Sequence, residues 1–363
     1  MKIVDLRVVV TPRLAVLTIT TDDGVEGHTF VNGPGPDITT ALVKTAKPLL
    51  LGRDPLDRGA IWHEFARRAR MFDPRVQGFV DVALWDIAGK VAGMPVHRLL
   101  GSCRTRVPAY ASSWVHGDNA TYVEEAVAYR EQGFVGYKLH PPTQRRAFHD
   151  EDTSVTEDID TCAAVRAEVG DDYRLMLDSA WVYSYREALD VGFAIQDLGY
   201  HWYEDPLRAD DIQGYVRLKQ HLWIPLVATE VTLGGMLALP PWIVAGATDA
   251  LRGDVVLKGG ITGMMKIAAL AEAHQLPCEV HDAYNALNNL ATVHLVMAVA
   301  GCSMYEVLVV HEAGSYDLDH LSYGLAEPIH IDSSGHVHAP ERPGLGIDLD
   351  WDLIRSTQVA ELT

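Results

Sequence analysis

From about Arg106 onward the chain repeats one pattern, a short apolar run followed by a longer amphipathic stretch. Eight such runs can be read: VPAYAS, FVGYKLH, RLMLD, HWYED, PLVATE, DALRGDVVL, PCEVH and SMYEVLVV. Strand–helix alternation at this period means βα units and a parallel sheet. Eight strands in about 220 residues suit a closed barrel better than an open doubly wound sheet. An open sheet of that kind would carry a Gly-rich phosphate loop after its first strand, and no GxGxxG or Walker-type run is present. The expectation is an α/β chain whose residues 106–325 form a modified (β/α)8, TIM-like barrel.

Residues 1–105 have a different character. Two strand-like runs, IVDLRVVV and LAVLTITT, lead through the turn Asp22-Asp23-Gly24 into a Gly/Pro-rich loop, VNGPGPD, and then helical segments. This predicts an α+β capping domain. Its last helix, DVALWDIAGKVAG, is expected to bury Val82, Leu84, Trp85, Ile87, Ala88 and Val91 on one side. The tail, residues 326–363, has Gly/Pro turns and short alternating runs and is expected to return to the capping domain.

A formal charge of −19 excludes a broad nucleic-acid or anionic-membrane surface, because phosphate binding needs clustered Lys and Arg. An anionic substrate must therefore be held by local cations. Cys103, Cys162, Cys278 and Cys302 are scattered without a CxxC pair, which argues against a disulfide framework or thiolate zinc site and fits a reducing cytoplasm. The N-terminus enters an apolar run without a basic leader and cleavage site, so export is not expected. The longest apolar stretch, Leu295 to Val310, is broken by Ser303 and Glu306 and is too short and polar to span a bilayer.

The chemistry is carried by acids at strand ends. Asp178, Glu204 and Glu230 each close an apolar run, and each is one βα unit, 26 residues, from the next. In a barrel the C-terminal strand ends converge, so the three carboxylates would meet. An acid in such a position often only caps the next helix, but three at one spacing favour a shared hard cation, Mg²⁺ or Mn²⁺. The next two runs carry Asp254 and His281. A carboxylate on one imidazole nitrogen fixes the tautomer and raises the basicity of the other, which would make His281 a general acid or base. In FVGYKLH, alternation points Lys138 and His140 to one face, and both are expected to reach the mouth opposite His281.

Together these residues resemble the mandelate-racemase subgroup of the enolase superfamily, and the similarity extends over nearly the whole chain. The stretch DVALWDIAGKVAGMPVHRLLG resembles the end of that family's capping domain. The resemblance implies Asp178, Glu204 and Glu230 as Mg²⁺ ligands, an Asp254–His281 dyad, Glu306 as the acid bonded to the substrate carboxylate and its enolic form, and Gly259-Gly260 as the turn after the sixth strand. It also implies a homo-oligomer, dimer or octamer. The muconate-lactonizing branch instead has an Asp third ligand and a catalytic lysine on the sixth strand, for which Lys258 is the alternative. Where the family has Lys-x-Lys on its second strand, this chain has Lys138-Leu139-His140. By register His140 takes the base position and Lys138 the supporting, substrate-binding cation.

The implied reaction removes the proton α to the carboxylate of a small hydroxy acid, giving a dianionic enediolate. Enolase-superfamily sites meet that problem with a Lys or His base working beside Mg²⁺. Glu306, if protonated by the surrounding negative charge, would donate a hydrogen bond to the developing oxyanion. Expulsion of a β-hydroxyl makes the enzyme a sugar-acid dehydratase; return of the proton to the other face makes it a racemase or epimerase. The polar loop from Thr29 to Gly35, with His28 as a substrate-binding residue, together with His116, Ser112 and Ser113, favours a polyhydroxylated acid. A metal-binding scaffold without catalysis is the reading from another class, and a redox enzyme lacks its dinucleotide fingerprint.

Overall fold

The computed structural model describes residues 1–33, 35–68, 71, 73–144, 154–309 and 319–363. Pro34, in the expected loop, and Val310, closing the eighth run, lie outside them. The N-terminal runs form β1 (Ile3–Val10) and β2 (Ala15–Thr21), joined by β3 (Glu26–Val31) in one antiparallel sheet. The third strand was not evident in the sequence: His28, Thr29 and Phe30 pair with β2 in the sheet rather than belonging to a loop.

The helix Arg75–Ala92 is buried nearly all round, not on one side. It is sandwiched between β3 and the barrel helix Gly260–Ala273, so Asp81, Ala83 and Asp86 on its other faces are also buried, whereas Val91, near its end, is exposed. Gly93, at φ 65°, ends it with a left-handed cap. This helix also binds the two domains together. Trp85 donates its indole N–H to Thr262 Oγ1 at 2.9 Å, and Asp81 Oδ2 accepts the backbone N–H of Thr262 at 2.8 Å. Gly260 makes that approach possible: at φ 83° it adopts a conformation disfavoured for other residues, and a Cβ there would overlap the Asp81 carboxylate.

The barrel strands are β4 (Arg106–Ser113), β5 (Gly136–Leu139), β6 (Arg174–Asp178), β7 (Trp202–Glu204), β8 (Leu226–Ala228), β9 (Ala250–Gly253), β10 (Cys278–Val280) and β11 (Tyr305–Val309). All are parallel, in the order β10-β9-β8-β7-β6-β5-β4-β11. The strands are almost wholly buried, as expected for a sheet lined inside by its own side chains and outside by helices. Among the described residues no ladder joins β10 to β11. That seam is bridged instead by Glu279, whose carboxylate accepts from the Ser303 N–H at 3.2 Å and the Ser303 hydroxyl at 2.7 Å. Glu306 Oε2 crosses it too, accepting the Asp282 N–H at 2.9 Å.

The tail divides. β12 (His336–His338) pairs antiparallel with barrel strand β4, and β13 (Ala360–Leu362) completes the N-terminal sheet beside β1. Among the described residues no helix is long and apolar enough to cross a membrane.

Candidate active site

The two-residue period of a strand stacks the barrel interior in layers. Tyr110, Met176, Trp202, Val227, Ala250 and Met304 form a separate apolar cluster. Two residues further along their strands, Met176, Trp202, Ala250 and Met304 are followed by Asp178, Glu204, Arg252 and Glu306. A layer of charge thus stands directly on a layer of apolar side chains.

Ligand oxygens of Asp178, Glu204 and Glu230 all lie within 4.8 Å of one another, and all three residues are buried. None of them serves as the side-chain cap of the next helix. Ser184 closes a capping box with Glu187 for the helix Tyr185–Asp197, and Asp211 accepts from Gly214 N for the helix Ile212–Lys219. Burial pushes the Glu204 carboxyl up to about 7 and that of Glu230 well above its ordinary range. An all-oxygen donor set in which burial penalises the charged form is one that a hard dication would suit, because the ion inverts that penalty.

Lys138 is fully buried, not at the mouth as alternation suggested. Its Nζ lies 3.0 Å from Asp178 Oδ2, 3.1 Å from Glu204 Oε2 and 2.7 Å from Glu306 Oε1. Burial and Arg252 oppose its charge, yet these three carboxylates hold its pKa well above the usual lysine value. Alternation identifies the face of a strand but not the depth, and Lys138 sits one layer below the opening.

Arg252 was not anticipated. Its Nε is in ion-pair contact with Glu204 and lies 3.7 Å from Glu230 Oε2, while Nη2 is 2.5 Å from Glu306 Oε2 and 3.2 Å from the Tyr110 hydroxyl. A signal for it lies in the sequence, since Arg252 stands in β9 two residues before Asp254, which follows the strand. Its charge bears on the condition under which Glu306 would donate to an oxyanion, namely that its carboxyl be protonated. Burial raises that carboxyl, but Arg252 and Lys138 together hold it well below the usual range, and its oxygens accept from Arg252, Lys138 and the Asp282 N–H.

The two histidines stand on opposite sides of the cluster, because β5 and β10 are three strands apart one way round the barrel and five the other. His140 Nε2 is 3.2 Å from Asp178 Oδ2; His281 Nε2 is 3.4 Å from Glu230 Oε1 and 3.8 Å from Glu306 Oε2. His140 Nδ1 faces the Ser113 carbonyl at 2.7 Å. A carbonyl can only accept, so Nδ1 carries a proton, and Nε2 is the nitrogen that faces the carboxylate cluster through Asp178. Burial pushes the His281 imidazole down to about 4, with Arg252 and Lys138 adding to the effect.

The expected Asp254–His281 hydrogen bond is not formed. Asp254 Oδ1 accepts the N–H groups of Val256 at 2.5 Å and Leu257 at 2.8 Å, whereas Asp254 Oδ2 and His281 Nδ1 are both buried without a partner among the described residues. The backbone turn after β9 takes one carboxylate oxygen and leaves the other. Burial raises the Asp254 carboxyl to about 6.

The remaining candidates lie elsewhere. His28 bonds to Thr18 Oγ1 at 3.1 Å and packs edge-on against Trp351, which places it in the capping sheet rather than with the carboxylates. His116 is held by Glu125 at 3.0 Å and Thr29 by Asn288 at 2.7 Å. The backbone N–H of His140 donates to Ser113 Oγ at 3.0 Å, while the Ser112 hydroxyl is buried without a hydrogen-bond partner among the described residues. Lys258 donates to the Thr232 carbonyl at 2.7 Å, and burial lowers its pKa to about 8. A residue not singled out in the sequence, Tyr284, has its hydroxyl 3.4 Å from Glu230 Oε1 and its ring 5.2 Å from that of His281. Tyr284 (φ 62°), Asp205 (φ 40°), Thr229 (φ 88°), Ala180 (φ 45°) and Trp181 (φ 57°) all have left-handed backbone close to the strand ends, the kind of strain that gathers at functional sites.

A capped βα barrel with carboxylates from three successive strand ends defines a class of metal-assisted enzymes, and the comparisons with known proteins give the family. Residues 4–101 match the mandelate racemase/muconate lactonizing enzyme N-terminal domain, and residues 121–353 match the enolase C-terminal domain-like model. The chain is 29% identical to an arabinonate dehydratase of Saccharolobus solfataricus, covering 90% of this chain and 86% of that protein. It is 30% identical to a D-galactarolactone cycloisomerase of Agrobacterium fabrum, over 93% and 89%. The crystal structure of a D-glucarate dehydratase from Agrobacterium tumefaciens complexed with magnesium superposes with TM-score 0.88 and 34% identity, covering 99% of this chain and 100% of that one. The protein belongs to the enolase superfamily, in the mandelate racemase subgroup.

Proposed function

We propose that the protein is a Mg²⁺-dependent dehydratase of a sugar acid. The observation that carries this reading is the pair of histidines flanking the three-carboxylate centre, His140 beside Asp178 and His281 beside Glu230. The dehydratases among its relatives support it. Asp178, Glu204 and Glu230 would hold the ion, which when bound supplies positive charge against a substrate carboxylate.

His140, with Nδ1–H held by Ser113, takes the proton from the carbon next to the carboxylate at Nε2, the nitrogen that faces Asp178 in the absence of substrate, and the C–H electron pair moves into the enediolate. Burial disfavours a charge on His281 in the resting site. A substrate carboxylate beside it raises its proton affinity, so His281 takes a proton from solvent and passes it to the β-hydroxyl as the Cβ–O bond breaks and water leaves. The enol that remains becomes a 2-keto-3-deoxy acid. Lys138 and Arg252 act from below by keeping the carboxylates in place, and Asp254 stands behind His281. The same reading places the enzyme in the cytoplasm as a homo-oligomer, dimer or octamer, with its four cysteines free.

A screen of mono- and diacid sugars with Mg²⁺ for 2-keto-3-deoxy product tests the proposal. Product from at least one sugar acid is expected. Solvent deuterium entering the α-position without product would make the protein a racemase or epimerase, and neither signal across the panel would leave a metal-binding scaffold.

A further inference from the structure

Arg252 is fully buried, and its Nη1 has no hydrogen-bond partner among the described residues. An apolar side chain at this position would extend the layer beneath it, and replacing buried ions by packed apolar groups is commonly neutral or stabilising. Fold stability alone therefore does not account for a guanidinium here. Its contacts suggest what does: it touches Glu204, one of the three clustered carboxylates, with one edge and Glu306 with another. Asp178, Glu204, Glu230 and Glu306 against Lys138 and Arg252 leave a deficit of two charges, which one dication cancels.

We propose that Arg252 is a positioning residue that sets the charge of the metal centre, bridging Glu204 and Glu306 so that a single Mg²⁺ makes the site neutral. An anionic substrate can then enter a site that carries no net negative charge. Without Arg252 the site would keep an excess negative charge, which holds a dication more tightly but repels a carboxylate. The inference rests on the metal-centre reading above.

The test is calorimetric titration of the full-length protein with MgCl₂ in mildly alkaline buffer. Arg252→Gln, which keeps a hydrogen-bonding side chain but loses the charge, should bind Mg²⁺ at least about tenfold more tightly. Glu306→Gln should bind it more weakly by a similar factor, and the double variant should return to within about threefold of the parent. A purely structural role predicts weaker binding for Arg252→Gln, so weaker or unchanged affinity overturns the proposal. If Arg252→Gln does not fold, Glu306→Gln and the double variant, which replaces the ion pair by two amides, decide by the same signs. Failure of the parent protein to bind Mg²⁺ would instead overturn the metal centre itself.

Discussion

Replacing Lys138 by Met removes the only group among the described residues that touches Asp178, Glu204 and Glu306 at once. The methionine fills similar volume, so the effect is that of leaving buried carboxylates without their shared cation. Breaking a buried ion pair from one side costs about 3–5 kcal/mol. At roughly 2 cal/mol/K per residue, a 363-residue chain unfolds with an entropy of about 0.8 kcal/mol/K, which converts that loss to a fall in Tm of about 4–7 °C. Scanning calorimetry of the metal-free protein measures it. Mg²⁺ should then restore more of the loss than it adds to the parent, because the ion supplies the missing charge; saturation at 100 times Kd contributes about 2.7 kcal/mol. If metal-free Lys138→Met melts within about 1 °C of the parent, Lys138 does not hold the cluster together, and its contacts with the three carboxylates carry no stabilising weight.

Glu204→Gln should lower Mg²⁺ affinity at least about tenfold in a calorimetric titration, since one charge leaves the site while its shape remains. His281→Asn should lose about 10²–10⁴ in turnover yet keep α-deuterium exchange, whereas His140→Ala should lose both; mass spectrometry of substrate recovered from D₂O separates the two. The Asp81 carboxyl, raised by burial to about 7, binds its proton more tightly folded than unfolded. Its stabilising contribution is therefore complete at acid pH and lost as pH rises through about 7, and urea denaturation of Asp81→Asn should show a flatter pH dependence than the parent between about pH 5 and 8.

The barrel was legible because its repeat is long and regular, and the strand-end acids because they recur with that repeat. What the sequence withheld has three physical causes. Depth along a strand is not encoded in alternation, so Lys138 was assigned to the mouth. The six-residue strand Glu26–Val31 joins a Gly/Pro-rich loop without a break in composition, so His28 was assigned to that loop. The tautomer of His140 is set by the backbone carbonyl of Ser113, a group that every residue carries and no motif can reveal. Arg252 differs from these: it stands two residues before Asp254 in the sequence, but an isolated arginine in an apolar run carries no spacing signal of the kind the three acids share.

The seam between β10 and β11 gives the barrel a mechanical asymmetry. Seven joints are ladders, in which backbone groups share the load and no single side chain matters. At the eighth a single backbone bond, Cys278 N to Gly301 O, is joined by two carboxylates, Glu279 reaching Ser303 and Glu306 reaching the Asp282 N–H. The ring is thus closed by a clasp, and half of that clasp is Glu306, which also touches Lys138 and Arg252. His281 follows the strand on one side of it and Glu306 lies in the strand on the other, so among the described residues the distance between them is set across a joint that no ladder holds.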